Sequence, residues 1–445
     1  MAILTEDECR AILKKALAYS KANECEINFN GSNSGNIRYA RNTVSTSGSV
    51  SQTSMVISSA FGKKLGVVTT NEYDDASVEK AVRLSEELAQ LAPENEEFVS
   101  FLGPQTYAEH AKTFVPETAA ITPAQRTTMV EQSLKTAKDN KLVAAGFIQN
   151  SAGFSAMMNS HGLFAYNTST DVNFSVTLRT EDGQGSGYST KGFNDVSKMD
   201  TLAFTKIAAQ KASGSKSAKS IEPGKYTVIL EPAAGIVLLE QLYGSLDARS
   251  ADEGRSFLSK PGGKTKLGEK MVDERVNIYS DPSNPELPTS RWNGDGRPQE
   301  KISWIEKGVV KNFSYSRYWA QKKGVKAIPG PDSIIMDGTD TSLEELIKGT
   351  EKGILVTRLW YIRPVDPQTL LFTGLTRDGT FYIENGQIKF PIKNLRFNES
   401  PVIMLNNLDA LGKQERTVSG ESGQNALIPP MRIRDFTFTS SSDAV

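Results

Sequence analysis

The chain has 445 residues, room for two or three domains with cores of their own, and 38% of them are hydrophobic against 23% charged, an ordinary globular balance. With 51 Lys and Arg against 52 Asp and Glu, a net charge of −1 offers no general attraction to nucleic acid or an anionic membrane. No stretch approaches the roughly 20 apolar residues of a membrane span, and the acidic opening Met-Ala-Ile-Leu-Thr-Glu-Asp-Glu lacks the apolar run of a signal peptide, so a cytoplasmic location is expected.

Thr5-Glu-Asp-Glu8 reads as a capping box opening a helix, with Cys9, Ile12, Leu13, Ala16 and Leu17 on its inner stripe. Cys9 and Cys25 read as small core residues, unpaired in a reducing compartment. Alternating stretches at 25–30, 36–44, 53–60 and 63–70 predict an antiparallel meander, and a helix follows over 76–91. Residues 93–123 are proline-punctuated and aperiodic, a linker or wrapping segment, and His110 within it has no neighbouring donors. Thr122-Pro-Ala-Gln125 starts the next helix. Strands are predicted near 143–150, 154–159, 163–168, 172–179 and 187–193, then a helix over 202–213. Asn159-Ser-His-Gly162 is a turn, which makes His161 a turn residue. Glu181–Gly187 is glycine-rich but lacks the strand–loop–helix setting of a phosphate loop.

The repeated order of helix, strands and helix points to an internal duplication. The fold class expected is α+β. Two helix–antiparallel strands–helix segments, 1–115 and 116–220 (the second ending in a polar Gly/Ser/Lys linker), precede a strand-rich C-terminal domain, 221–445, with a few helices.

In that domain Val228-Ile229 runs into Pro232, suited to a first helical position, and Ile236, Leu239, Tyr243 and Leu246 recur at helical spacing. A strand over 276–279, a turn-rich loop through Arg291–Gly296 and a hairpin of 302–306 with 309–315 follow, the hairpin turning at Glu306-Lys-Gly308. Ser342-Leu-Glu-Glu345 caps a short helix ending near Gly349, and 354–361 reads as a strong strand. Strands over 370–376 and 379–384 lead to the Asn385-Gly386 hairpin turn, with the return over 387–390. Ser400-Pro401 opens a helix predicted to reach about Leu411. The strand over 431–438 slips its apolar pattern between Ile433 and Phe436, marking a bulge.

The order Ala234-Gly-x-x-Leu-Leu239 followed by Arg255-Ser-Phe257 resembles the TldD/PmbA proteins, a bacterial and archaeal metallopeptidase family. So do Ser342-Leu-Glu-Glu-Leu-Ile347, Lys352-Gly-Ile-Leu-Val-Thr357, Phe381–Ile388 and the ending Pro430–Phe438, which extends the resemblance over nearly the whole chain. In the family's metal-bearing branch the window after Leu-Leu reads His-Glu-x-x-x-His, and a cysteine in a Gly-rich segment completes the site. Here that window is Glu240-Gln241-Leu242-Tyr243-Gly244-Ser245, and Ser422 stands in the cysteine's place within Val418–Gln424. The resemblance therefore implies the metal-free, TldE/PmbA-type branch. Glu240, Gln241, Ser245 and Ser422 become counterparts of a lost site, with no cofactor in this chain and zinc expected in a partner subunit. The donor census agrees, since nothing after His161 offers imidazole or thiolate, Ser245 is a poor zinc ligand and Gln241 cannot act as a general base.

The family implies a heteromeric protease in which a TldD-like, metal-bearing subunit hydrolyses unfolded peptides and a metal-free subunit completes the chamber; an older family label is modulator of DNA gyrase. The function expected of this chain is to hold an extended peptide by main-chain hydrogen bonds at a strand edge of the C-terminal domain, in a dimer with a TldD-like chain or with itself. Arg249 and Arg255 are candidate contacts to substrate carbonyls or carboxylates. Two alternatives stand beside it. One is a peptidase acting alone, with a metal on Glu240 and Asp247 or a nucleophile at Ser245 or Ser422, although neither serine has a histidine near it in sequence. The other is a non-enzymatic regulator, for example of DNA gyrase.

Overall fold

A computed structural model describes residues 3–109 and 111–442; His110 lies outside the described residues. Thr5 and Glu8 cap α1 (Glu6–Ala18) reciprocally, and Asp74 caps α2 (Asp75–Leu91). After the single turn α3 (Pro116–Ala119), Thr122 and Gln125 form a second capping box on α4 (Pro123–Asp139), and Asp200 caps α5 (Thr201–Gly214). The strands β1 (Glu24–Ala40), β2 (Thr43–Phe61), β3 (Lys64–Thr70), β4 (Leu142–Asn159), β5 (Phe164–Thr180) and β6 (Ser186–Phe193) make one antiparallel sheet in the order β3-β2-β1-β4-β5-β6. Each half contributes three strands and two long helices, and the halves meet where β1 pairs with β4.

The duplication also shows at the level of residues. A Cβ placed on Gly66 of β3 would lie 2.2 Å from Ser85 O and 2.3 Å from Ala89 N of α2. One placed on Gly187 of β6 would lie 2.1 Å from Ala208 O and 2.6 Å from Ala212 N of α5. In both halves a glycine on the outermost strand lets a helix approach backbone to backbone along a small-x-x-x-small row.

The strands are fewer and longer than the sequence predicts. The Gly31–Gly35 stretch, expected to break β1, stays in register with β2 on one side and β4 on the other. Paired on both edges, its backbone is fully bonded, which overrides the weak strand preference of Gly, Ser and Asn. The same holds for Ser151–Gly153 in β4.

In the C-terminal unit β7 (Gly224–Leu230) pairs with Lys352–Asp366 on one side and Met431–Ser442 on the other. The ladder continues through Asn394–Glu399 and Leu371–Glu384 and returns to Lys352–Asp366, closing a ring of five strands. The register slip between Ile433 and Phe436 is present, with Asp435 at φ 54°. The turn expected at Glu306-Lys-Gly308 and the Asn385-Gly386 turn both have positive φ at their central residues, Lys307-Gly308 (48° and 73°) and Asn385-Gly386 (51° and 71°). The helix opened by Ser400 stops at Asn406, short of the predicted Leu411. Leu408–Leu411 instead pairs with Met431–Ser442, where Leu408 is fully buried.

A second sheet runs in the order Val309–Val310, Ile302–Glu306, Ile278–Ser280, Ile334–Met336, Asn425–Ile428 and Glu415–Val418. Between the ring and this sheet lies α6 (Pro232–Gly244), with Pro232 at its first turn as predicted. Ala234 to Leu239, Leu242 and Tyr243 are all buried, so the helix is apolar nearly all round rather than along one stripe.

The two units are joined by polar contacts. Arg358 lies between the Tyr188 and Trp360 rings, 4.2 and 4.6 Å from their centroids, and its Nη1 donates to Asp378 Oδ2 at 3.0 Å. Ser186 Oγ of β6 donates to the other oxygen of Asp378 at 2.5 Å. The segment before residue 110 reaches the junction: Tyr107 OH donates to Gly296 O at 2.7 Å, and Leu102 packs with Trp292.

Glu26 is buried at this junction and accepts from Asn159 Nδ2 at 3.2 Å. Burial, with smaller pushes from Asp295 and Glu24, raises its carboxyl from 4.5 to about 7, against the pull of Asn159 and Arg317. The folded group therefore holds its proton more tightly than the unfolded one. The stability linked to it is intact below about 4.5 and lost as pH rises through about 7. Glu26→Gln is expected to raise stability at about pH 8 by on the order of 2–3 kcal/mol and to change little at about pH 5, read from unfolding at the two pH values.

Candidate functional site

The α6 helix brings Glu240 to the side of the loop Ser419–Gln424. Glu240 Oε2 accepts from Ser422 Oγ at 2.6 Å, a contact between residues 182 apart in sequence. The loop is held by Ser419, whose hydroxyl accepts from the N–H groups of Glu421 (3.2 Å) and Ser422 (3.3 Å), and whose carbonyl accepts from Gly423 N–H at 3.0 Å. Burial lifts the Glu240 carboxyl above its ordinary range; the Ser422 and Ser419 hydroxyls pull it back and Glu421 pushes it further up. Ser245, at the C-cap of α6, spends its hydroxyl on Gln241 O at 2.7 Å. Two of the residues matched to family ligand positions are thus in direct contact, and the third closes the same helix.

One carboxylate and two hydroxyls is not the donor set of a zinc site, which takes several nitrogen or sulfur ligands, and these residues do not fit the metal that the family's active branch carries. Asp247, the other carboxylate considered, is a helix cap that accepts from Ser250 N–H at 2.8 Å. His161 Nε2 lies 3.2 Å from Glu24 in the turn where the sequence placed it.

Neither candidate arginine faces this loop. Arg249 grips Glu97 with two nitrogens, at 2.8 and 2.7 Å, and Glu253 with its Nε at 2.9 Å. Arg255 donates twice to Glu253, at 3.0 and 2.6 Å. Both guanidinium groups are therefore already engaged by carboxylates.

Against the same loop lies a cleft of about 620 Å³ that sequence reasoning missed. Its floor is the helix-free face of the N-terminal sheet, with Arg38, Phe147, Gln149, Asn173 and Ser175. Tyr188 and Arg358 form a wall, and Val418–Gly420 with Gly423 the roof. Among the described residues no carboxylate lines it. Its signal is the alternation in β5, where buried Val172, Phe174, Val176 and Leu178 interleave with Asn173, Ser175 and Thr177. Period two gives the face, and the uncharged polar residues set it apart from a merely solvated one. A volume of this size is that of a ligand pocket. No helix among the described residues is long and apolar enough to cross a membrane.

Residues 223–440 match the PmbA/TldA metallopeptidase C-terminal domain and residues 116–216 the PmbA/TldA metallopeptidase central domain. A Methanothermobacter thermautotrophicus protein named a metalloprotease is 25% identical over 312 residues, which cover 63% of this chain and 66% of that protein, just under two thirds of its length. The crystal structure of TldE from Thermococcus kodakarensis superposes with a TM-score of 0.86 at 21% identity, over 98% of this chain and 99% of that one. A Thermotoga maritima structure described as a candidate modulator of a DNA gyrase gives 0.85 at 19%, over 97% and 100%. These two likenesses are of fold. The two matched domains together span well over half of the sequence, and the chain belongs to the PmbA/TldD metallopeptidase family.

Proposed function

We propose that this chain is a metal-free, peptide-holding member of its family, which partners a zinc-bearing TldD-like subunit in proteolysis in the cytoplasm. The observation that carries the reading is the contact of Glu240 with Ser422: two positions matched to family ligands meet, and they and Ser245 offer only oxygen donors unsuited to zinc. The adjoining cleft supports the binding half of the reading. Lined by uncharged polar, aromatic and small side chains with two arginines, it suits an extended unfolded peptide whose sequence varies. A partner that brought its own zinc to this cleft would meet a peptide already extended.

The Ser422–Glu240 hydrogen bond also favours a second reading, hydrolysis by this chain alone, because the carboxylate lies where it could take the proton of an exposed serine. One experiment separates the two. Metal analysis and a casein-type peptide assay are run on the isolated chain, on its Ser422→Ala variant, and on the chain mixed with a TldD-like subunit. The expected result is no stoichiometric zinc, no cleavage by the isolated chain, and at least tenfold more cleavage by the mixture than by the TldD-like subunit alone. Cleavage by the isolated chain that Ser422→Ala abolishes would establish the second reading. No change on mixing would remove the partnership.

A further inference from the structure

Three charged side chains line one cavity of about 270 Å³ between the N-terminal sheet and the C-terminal unit, and among the described residues none of them is in an ion pair. Arg416, 6% exposed, donates to Gly192 O (2.9 Å), Glu286 O (2.5 Å) and Asn425 Oδ1 (3.2 Å), all neutral acceptors. The Glu286 carboxylate, which acts on it only at longer range, is half exposed and paired with Lys198 at 2.9 Å. Asp332 accepts from the hydroxyls of Thr289 (2.6 Å) and Ser333 (3.3 Å). Asp171 accepts from the Ser151 hydroxyl and from Asn173 Nδ2 (2.8 Å).

Each group is held toward its neutral form by burial, with the Arg416 guanidinium pulled down to about 10 and both carboxyls pushed up. Buried charges are nearly always paired, because an unpaired one costs several kcal/mol of desolvation that nothing returns. Here Arg416 is buried and Asp171 and Asp332 are part-buried, and around the shared cavity each is compensated by neutral hydrogen-bond partners. A ligand carrying both signs would pair the cation and bring one positive group to the two carboxylates. The cavity lies a little below the usual size of ligand pockets, roughly 300–1,000 Å³, so the ligand must be small.

We propose that this cavity binds a small zwitterion, a free α-amino acid or a dipeptide, with its carboxylate on Arg416 and its ammonium group on Asp171 and Asp332. Thr289, Ser333 and Asn425 supply neutral hydrogen bonds beside the charges. Gly423 lines both this cavity and the larger cleft, so the two meet at one backbone residue. A small zwitterion is the class of product that peptide hydrolysis releases. The site does not depend on how the cleft is used, since its charges are complete without a peptide there.

Calorimetry of the full chain at about pH 7 tests the proposal with alanine, Ala-Ala and N-acetyl-Ala-Ala-amide. Saturable binding of alanine or of Ala-Ala is expected, and the tighter of the two identifies the source. The doubly blocked peptide is expected to bind at least tenfold more weakly, and Asp332→Asn, a near-isosteric change, to weaken the free ligand by at least tenfold. No saturable binding of either free ligand at millimolar concentration, or equal binding of the blocked peptide, would overturn the proposal without recourse to any variant.

Discussion

Asp378→Ala is expected to lower the stability of the chain by about 3–5 kcal/mol, read as a fall in the denaturant midpoint. The reason lies in what is left behind. Asp378, 3% exposed, is the carboxylate that neutralises Arg358, itself enclosed between Tyr188 and Trp360. Removing it strands a mostly buried guanidinium, whose Nε already has no hydrogen-bond partner, and leaves the Ser186 hydroxyl without its acceptor. If the loss comes from the stranded charge, the double variant Asp378→Ala/Arg358→Met should recover much of it, because replacing both members of a buried pair is far milder than breaking it. Equal destabilisation of the single and double variants would show that shape, and not charge, is what Asp378 supplies.

Gly187→Ala carries the second large effect, a cost of about 3 kcal/mol, seen as a lowered melting temperature. A methyl group at this position meets Ala208 O and Ala212 N, main-chain atoms of α5 that cannot rotate away as a side-chain tip would. The helix must lift from the sheet or the strand must shift, and either move opens the core that Leu178, Ala208 and Ala212 share. Gly66→Ala should behave alike against Ser85 and Ala89. The two glycines sit on the outermost strands of a six-stranded sheet, roughly 24 Å apart at about 4.8 Å per strand, so their effects should add. A single alanine tolerated without loss would mean the two halves are not packed in the same way.

These glycines also mark where the sequence stops being readable. The capping boxes at Thr5, Thr122 and Ser342 were legible because each is complete within four residues. So were the Lys307-Gly308 and Asn385-Gly386 turns, whose chemistry is local. The duplication showed only as an order of elements, since what repeats at Gly66 and Gly187 is the absence of a side chain. Gly31–Gly35 reads as a turn because its bonding is supplied by β2 and β4, the latter more than a hundred residues further on. The candidate site divides in the same manner. The helix carrying Glu240 was visible from Pro232 onward, whereas the cleft exists only because the face of one sheet meets a loop near residue 420. Arg249 and Arg255 had no such guide, and their acidic partners include Glu97, 152 residues away.

The closed ring of the C-terminal unit fixes an order of assembly during synthesis. Every strand of the N-terminal sheet lies between residues 24 and 193, so that unit can reach its native state while the rest is still being made. In the other unit β7, near its start, needs Met431–Ser442 as a neighbour, and α6 has little but Glu240 and Gln241 to turn toward water while it waits. Some two hundred residues must emerge before that helix is covered, and over this interval a segment that is apolar on nearly every side stays open to wrong partners.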